Sequence, residues 1–302
     1  MNRVKIAGLL AGAVSALAMS LSGALAQDYS EVEIKSTELG NGVYMLTGAG
    51  GNMGLSVGDG GVFLIDDQYA PLTQKIRAAI AKLSDKPVKF VINTHWHFDH
   101  TGGNENLGKE GAIIVAHDNV RKLMSKDQFI ATFNANIPAA SEVALPSITF
   151  SDTTTFHLNG EELHVQHLEP SHTDGDSIVA FKKANVIHTG DIFFNGFYPF
   201  IDVDHGGSIN GVIANATAII GMAGADTKII PGHGPLADRA QLIAYRDMLI
   251  TARDNVKVLV DAGKTEDQTV AAKPTAELDE TWGDGFLKPE VFVKLVYASL
   301  KK

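Results

Sequence analysis

THWHFDHTGGN, residues 94–104, sets His95, His97, Asp99 and His100 within six positions. The whole chain has only 11 histidines. A solvated loop has no use for such a density, and a buried one must satisfy three imidazoles and a carboxylate together. A metal ion satisfies them all, because neutral imidazole nitrogen and carboxylate oxygen are both zinc donors. The segment follows a short apolar run, residues 88–92, of the kind that forms a buried strand. A loop leaving a strand end can aim alternate side chains inward. His95 and His97 would then grip one ion, while Asp99 and His100 face a neighbouring one. Thr101-Gly102-Gly103 is expected to start a helix, its glycines letting the backbone approach closely.

Further ligands are expected at other strand ends. Three candidates meet that condition: His172 in PSHTDG (170–175), Asp191 in TGD (189–191) and His233 in PGHG (231–234). Each follows an apolar run and sits among turn-forming residues, and taken singly each reads as readily as a turn residue. Together with the first motif they make five histidines and two aspartates, sufficient for two ions. His117 and His188 read as structural or supporting residues. His157, His164 and His167 read as strand residues whose alternation can leave them at the surface. His205, downstream of Asp191, is a candidate for the pocket lining.

The rest of the chain supplies strands to carry these motifs. Residues 43–46, 54–57 and 62–65 read as strands, with Asp59-Gly60-Gly61 a hairpin signal. Residues 71–83 have helical periodicity, with Ile76, Ile80 and Leu83 on one face and Pro71 placed to start it. Residues 112–115 form another short apolar run. A second set of strands is expected at 148–150, 154–158, 163–167, 177–181 and 186–188. A helix over 208–222, a strand at 228–230, a long helix over 238–260 and a last helix over 289–300 complete the pattern. The polar stretch 264–284 is expected to wrap the surface. Strands, helix, strands, then the same again describe two similar halves of an α/β fold, stacked sheet on sheet with helices outside.

The first 26 residues form a separate object. Arg3 and Lys5 precede an Ala- and Leu-rich run that ends in Ala24-Leu25-Ala26, a small-x-small cleavage pattern. The alternative is an uncleaved anchor; the cleavage-like end favours a signal peptide over residues 1–26 with the mature domain over 27–302. The chain has no cysteine, which excludes a lipidated cysteine and disulfides and suits export to a bacterial periplasm. The formal charge of −10 for 302 residues becomes more acidic still without the leader's two cations. An acidic chain with no basic run is a poor partner for nucleic acid or anionic lipid. No membrane association is expected after cleavage, and the oligomeric state is left open.

The order HxHxDH, HTDGD, GD, PGHG resembles the metallo-β-lactamase-fold hydrolases over nearly all of the mature chain. The resemblance implies a four-layer αββα sandwich with two metals at one edge of the sheets. It implies His95, His97 and His172 on the first metal, Asp99, His100 and His233 on the second, and Asp191 bridging both. It also implies a dinuclear zinc hydrolase in which two Zn2+ share a hydroxide that attacks a carbonyl carbon, with Asp99 orienting or relaying the proton. The substrate is then a small carbonyl compound: an amide, lactam or ester.

β-Lactam hydrolysis is the best single named candidate, since the ligand set resembles the cysteine-free zinc β-lactamases and a periplasmic enzyme meets such drugs. The stretch after Asp191, IFFNGFYPF (192–200), instead carries no lysine to hold a drug's carboxylate. A bridging Asp191 is also typical of lactonases and thioesterases of the same fold, and the aromatic rim suggests an apolar acyl substrate. A redox enzyme is the rival from another class. Oxygen-reducing di-iron relatives usually carry glutamate where His97 stands, whereas a mononuclear iron dioxygenase is less easily set aside. A pure binding protein is disfavoured by the complete ligand set.

Overall fold

Residue alternation in GVFLI decides the layering. This strand, Gly61–Ile65, is buried along its whole length, with Val62 and Leu64 in one apolar cluster and Phe63 and Ile65 in another. A strand buried on both faces needs a layer on each side. The computed structural model describes residues 28–302; the expected leader lies outside the described residues.

The first sheet contains β1 (Lys35–Gly40), β2 (Val43–Thr47), β3 (Met53–Gly58), β4 (Gly61–Ile65), β5 (Val88–Ile92), β6 (Ile113–His117) and β9 (Ile148–Phe150), in that spatial order. Strands β1 to β4 form an antiparallel meander, and the 59–60 turn closes between paired Gly58 and Gly61 as its sequence predicts. From β4 to β9 the pairing is parallel. The second sheet runs β10 (Thr153–Leu158), β11 (Glu161–His167), β12 (Ser177–Phe181), β13 (Val186–His188) and β14 (Lys228–Ile230). It is antiparallel except for the last, parallel pair. A small hairpin, β7 (Gln128–Ile130) with β8 (Ala135–Ile137), stands apart from both sheets.

Between the sheets, Val43, Met45, Phe63, Ile65, Ile92 and Val115 meet Leu163, Val165, Val179, Phe181, Val186 and Ile230. Outside the first sheet, Ile76 and Ile80 of α1 (Thr73–Ile80) and Leu107 of α3 (Asn104–Lys109) cover Leu55, Val62, Leu64 and Val91. The second sheet is covered by α5 (Ile209–Met222), α6 (Arg239–Asp261) and α9 (Pro289–Lys301), whose Val212, Ile219, Leu242, Leu249, Phe292 and Val296 pack with Ile178, Ile187 and Ile229. The result is the expected αββα sandwich. Local chemistry starts each of these helices: Ser208 caps α5, Asp238 and Gln241 form a capping box on α6, and Pro289 opens α9.

Four expectations need correction. Residues 148–150 belong to the first sheet, where Val115 pairs with Ile148 and Phe150 enters the core between the sheets. The short 71–83 helix resolves into a turn of 3-10 helix, Ala70–Leu72, followed by α1. The 264–284 stretch contains α7 (Glu266–Ala271), started by a Thr265–Gln268 capping box, and α8 (Asp279–Trp282). It also buries Thr269 and Thr275, so it is more than a surface wrap. Finally, β1, β7 and β8 are unforeseen: β1 buries only Leu39 among its first five residues, leaving no apolar alternation to read.

Candidate metal centre

All the candidate ligands lie beyond the C-terminal ends of strands at one edge of the sandwich, where parallel strands leave open crevices. The 94–100 loop follows β5 and is fastened from two sides. Asn93 and Asn104 exchange side-chain hydrogen bonds of 3.2 and 2.9 Å. The Thr94 backbone N–H donates to Asp66 Oδ1 at 2.8 Å and its hydroxyl to Asp66 Oδ2 at 2.7 Å. His97, in extended conformation, is the N-cap of α2 (Phe98–Thr101). Helix therefore starts at Phe98, before Thr101-Gly102-Gly103; those two glycines lie against the backbone of Gln68 and Asp67.

Seven side chains from four segments converge as the sequence predicts. In one group, His97 Nδ1 and His172 Nε2 are 2.8 Å apart, and Asp191 Oδ2 lies 3.7 Å from His95 Nε2 and 3.4 Å from His172 Nε2. In the other, His233 Nε2 lies 3.3 Å from Asp99 Oδ2 and 3.3 Å from His100 Nε2. Asp191 reaches this group too, with Oδ1 3.0 Å from His100 Nε2 and Oδ2 3.4 Å from His233 Nε2. The donor atoms of each group fall within 4.8 Å of one another.

Outer partners fix which ring nitrogen faces inward. His172 Nδ1 is held at 2.8 Å by the Phe200 carbonyl, which can only accept. His97 Nε2 is held by Asp202 at 2.9 Å and His100 Nδ1 by Asp66 at 2.7 Å. His95 Nδ1 is 3.0 Å from Thr94 Oγ1, whose own proton goes to Asp66. His95, His97 and His172 therefore donate outward and turn a lone pair inward, the arrangement of metal-ligating histidines, and His100 donates outward in the same way. Inward-facing lone pairs on His97 and His172 at 2.8 Å repel unless a cation or proton stands between them. His95 Nε2 is buried with no hydrogen-bond partner, a state that otherwise costs a few kcal/mol. Imidazole and carboxylate donors so arranged fit zinc.

Electrostatics divide the two groups. Burial, with cationic neighbours adding to it, holds His95 well below the usual histidine range, and burial lowers His172 as well. Burial works in the same direction on His100, but Asp191, Asp99 and Asp66 outweigh it and raise that ring well above its usual value. His233, likewise against burial, is lifted to about 9 by Asp191 and Asp99. The carboxylates respond in kind: despite burial, Asp99 falls to about 2 beside His100 and His233, and Asp191 falls well below the usual range. The second group thus demands positive charge, which a dication supplies in place of protons.

Close approach explains three glycines. A side chain at Gly51 would occupy the place of the His100 ring, and one at Gly232 would collide with Asp191 Oδ1. Gly190 has φ +52, and a side chain there would strike Thr94; its freedom serves the packing of two site loops against each other. Sequence reasoning missed Asp66, Thr94 and Asp202. The only signal for Asp66 was its position after a buried strand, matching that of the recognised ligands. His205 stands behind His97, with Nδ1 2.8 Å from Asp202 and its ring against Trp96. His188 is buried, holding the Asn52 carbonyl and the Gly190 N–H. His117 caps α4 (Asp118–Met124) and stacks on His167 at 3.7 Å. A wide concavity of about 770 Å3 lies at the opposite end of the sandwich. It is lined by turns, and its Glu161 carboxylate is already engaged by the backbone N–H groups of Glu162, Lys183 and Ala184.

The sequence profile of the metallo-beta-lactamase superfamily matches residues 46–235, a span that contains every one of these candidate ligands. The chain belongs to the metallo-beta-lactamase superfamily. Among solved structures, the metallo-beta-lactamase from Pontibacter korlensis superposes with a TM-score of 0.58 at 20% identity, covering 72% of this chain and 99% of that one. A likeness at that identity speaks for the fold alone. Among curated proteins, the hydroxyacylglutathione hydrolase of Polaromonas sp. is 25% identical over 232 residues, 74% of this chain and 78% of its own. The 2,4-dinitroanisole O-demethylase subunit alpha of Nocardioides sp. is 25% identical over 141 residues, 46% of this chain and 40% of its own. The chain thus spans less than half the length of the O-demethylase subunit, and 55% of a second hydroxyacylglutathione hydrolase, that of Nitrosococcus oceani.

Within this superfamily scaffold the stretch after Asp191 divides in two. Phe193 packs on Tyr245, and Tyr198 stacks on Phe292 with its hydroxyl donating to Asp279 at 2.8 Å. These two are core. Phe194 instead stacks on His233 at 5.0 Å, and Phe200 lies 5.6 Å from His97 and 5.7 Å from His172. All four are buried, and of the aromatic residues expected to line the site only Phe194 and Phe200 among them touch the candidate ligand rings.

Proposed function

We propose that the protein is a dinuclear zinc hydrolase that cleaves an acyl bond, an ester or thioester before an amide, in a small molecule with an apolar acyl part. The observation that carries this reading is the pair of outward-donating rings, His97 and His172, whose inner nitrogens face each other 2.8 Å apart. His95, His97 and His172 would hold one ion, Asp99, His100 and His233 the other, and Asp191 would touch both. Two such cations, when bound, supply a water acidic enough to attack at neutral pH and draw charge from a carbonyl oxygen.

The chain's own residues do the rest. Asp66 locks His100 and Thr94, the neighbour of His95, so the two ends of the 95–100 motif move as one body. Asp99 is the more open of the two acids, at 18% side-chain exposure against 4% for Asp191. Its carboxylate is therefore the one placed to orient the attacking water and take its proton. Phe194 and Phe200 exclude water from one side of the ligand rings. Hydrolysis of an acyl compound also agrees with the name of the hydroxyacylglutathione hydrolase relative.

β-Lactam hydrolysis is the second reading, supported by the fold likeness and by the ligand types. The uncharged wall argues against it as the main activity, since a β-lactam drug presents a carboxylate that needs a cation. Iron in place of zinc would point to the dioxygenase alternative. Zinc-loaded protein assayed against matched esters, thioesters, lactones and penicillins tests the proposal. Faster turnover of the oxygen and thiol esters supports it; penicillin turnover above all of them reverses the order. Activity that follows iron and oxygen in place of zinc overturns it.

The Arg3-to-Ala26 leader supports a further part of this reading, that the protein works in the periplasm. Among the described residues no helix is long and apolar enough to cross a membrane.

A further inference from the structure

Phe286 sits on the loop between α8 and α9, beyond the superfamily match, and is 39% exposed. An exposed phenylalanine is ordinary when isolated, but this one is not isolated. Its ring lies 6.0 Å from Phe194, 6.0 Å from Phe197 and 6.2 Å from the ring of His233. On its other side is Phe133, 6.5 Å away, carried by the turn that joins β7 to β8. Phe133 in turn lies 4.8 Å from Phe200, which touches His97 and His172. Five phenylalanines thus form a continuous arc from one ligand group to the other. Two of them come from peripheral segments, the hairpin and the C-terminal loop, that the sandwich itself does not require.

Among the described residues the cation-on-ring contact is Lys89 over Phe90 in the first sheet, so no lysine or arginine lies on a ring of the arc. An apolar patch open to water and continuous with a catalytic centre is a place for the apolar part of a substrate. The geometry points to an acyl-binding wall: Phe133, Phe197 and Phe286 hold an aromatic or medium-length alkyl acyl group while its carbonyl lies at the ligand cluster. This rests on the hydrolase reading and adds the substrate class to it. Phe286 and Phe133 are then the specificity-determining residues, since they are the two brought in from outside the sheets' own loops.

The test uses zinc-loaded full-length mature protein and thioesters of one thiol, N-acetylcysteamine, with acetyl, hexanoyl and phenylacetyl groups. The longer acyl groups should exceed acetyl in kcat/KM by at least ~10-fold, the scale expected when several methylenes or a ring leave water. Phe286→Ala and Phe133→Ala should each lower the phenylacetyl-to-acetyl ratio by ~10-fold, and Phe286→Leu should restore most of the hexanoyl preference. Phe129→Ala, an exposed phenylalanine of the same hairpin, should leave the ratio as it is. Fluorescence titration with the neutral dye N-phenyl-1-naphthylamine gives a readout free of turnover, with weaker binding to Phe286→Ala expected. If neither these thioesters nor the matching oxygen esters are cleaved, the hydrolase reading fails, and the dye still decides whether the wall binds apolar groups. A ratio unmoved by both alanine variants, or dye binding equal in wild type and variants, overturns the acyl-binding wall.

Discussion

His97 and His172 face each other across 2.8 Å with both outer nitrogens already donating, one to Asp202 and the other to the carbonyl of Phe200. Two lone pairs at that separation are a place prepared for a cation. The same preparation recurs at His100 through Asp66 and at His95 through Thr94. The protein therefore commits its tautomers before any ion arrives, and each outer partner becomes a point at which metal affinity can be altered without touching a ligand.

Asp202→Asn preserves shape but replaces an acceptor-only carboxylate with an amide that can donate to His97 Nε2. The ring would then carry its proton on Nδ1 and lose its inward lone pair. Zinc affinity of the first group should fall ~10–100-fold, measured by competition with a chromophoric chelator. His205→Ala, which reaches His97 only through Asp202, should have the smaller effect. Equal losses would show that Asp202 does not act by setting the tautomer.

Asp191→Ser should weaken the second zinc more than the first, by at least ~10-fold. The first group retains three buried imidazoles with fixed tautomers. The second is left with His100 and the more open His233 and Asp99, whose side chains are 20% and 18% exposed. Stepwise zinc titration resolves the two affinities. Equal weakening of both sites, or none, would remove Asp191 from the bridging position.

How far these features could be read in advance differs by kind. The convergence of the seven candidate ligands was legible because ligating side chains must be imidazole or carboxylate, at strand ends, with small neighbours. The residues that orient them were not. Asp66 and Asp202 act on Thr94 and His97 across 28 and 105 positions of chain, and nothing local marks them. Sheet membership was hidden in the same way. The short run at 148–150 reads as a strand, but only its pairing with Val115 assigns it to the first sheet. Among the aromatic residues after Asp191, composition could not separate Phe193, covered by Tyr245, from Phe194, turned to His233.

Acid sensitivity should include a contribution from His117, remote from the ligands. Burial, and then the stacked His167, hold its pKa below 6.5 in the folded chain. The folded protein therefore binds fewer protons than the unfolded one as pH drops below that value. The stability this site supports is complete above about 6.5 and is lost as pH falls toward the folded pKa. The melting temperature of His117→Asn, which retains a capping side chain, should fall less between pH 7.5 and 5 than that of wild type. A steeper fall in the variant would contradict the sign.

Export should yield a mature chain beginning near Gln27. Amino-terminal sequencing of protein released from the periplasm checks this, and an intact Met1 leader in the membrane fraction would contradict the cleavage.

The most direct test of the two-ion centre is a count. Protein dialysed against buffered zinc at neutral pH and then measured by inductively coupled plasma mass spectrometry should contain close to two zinc ions per chain. His172→Ala should reduce that number to about one, because it removes a ligand from the first group only. Two ions retained in His172→Ala, or a wild-type protein that holds one ion or none at saturating zinc, would contradict the account.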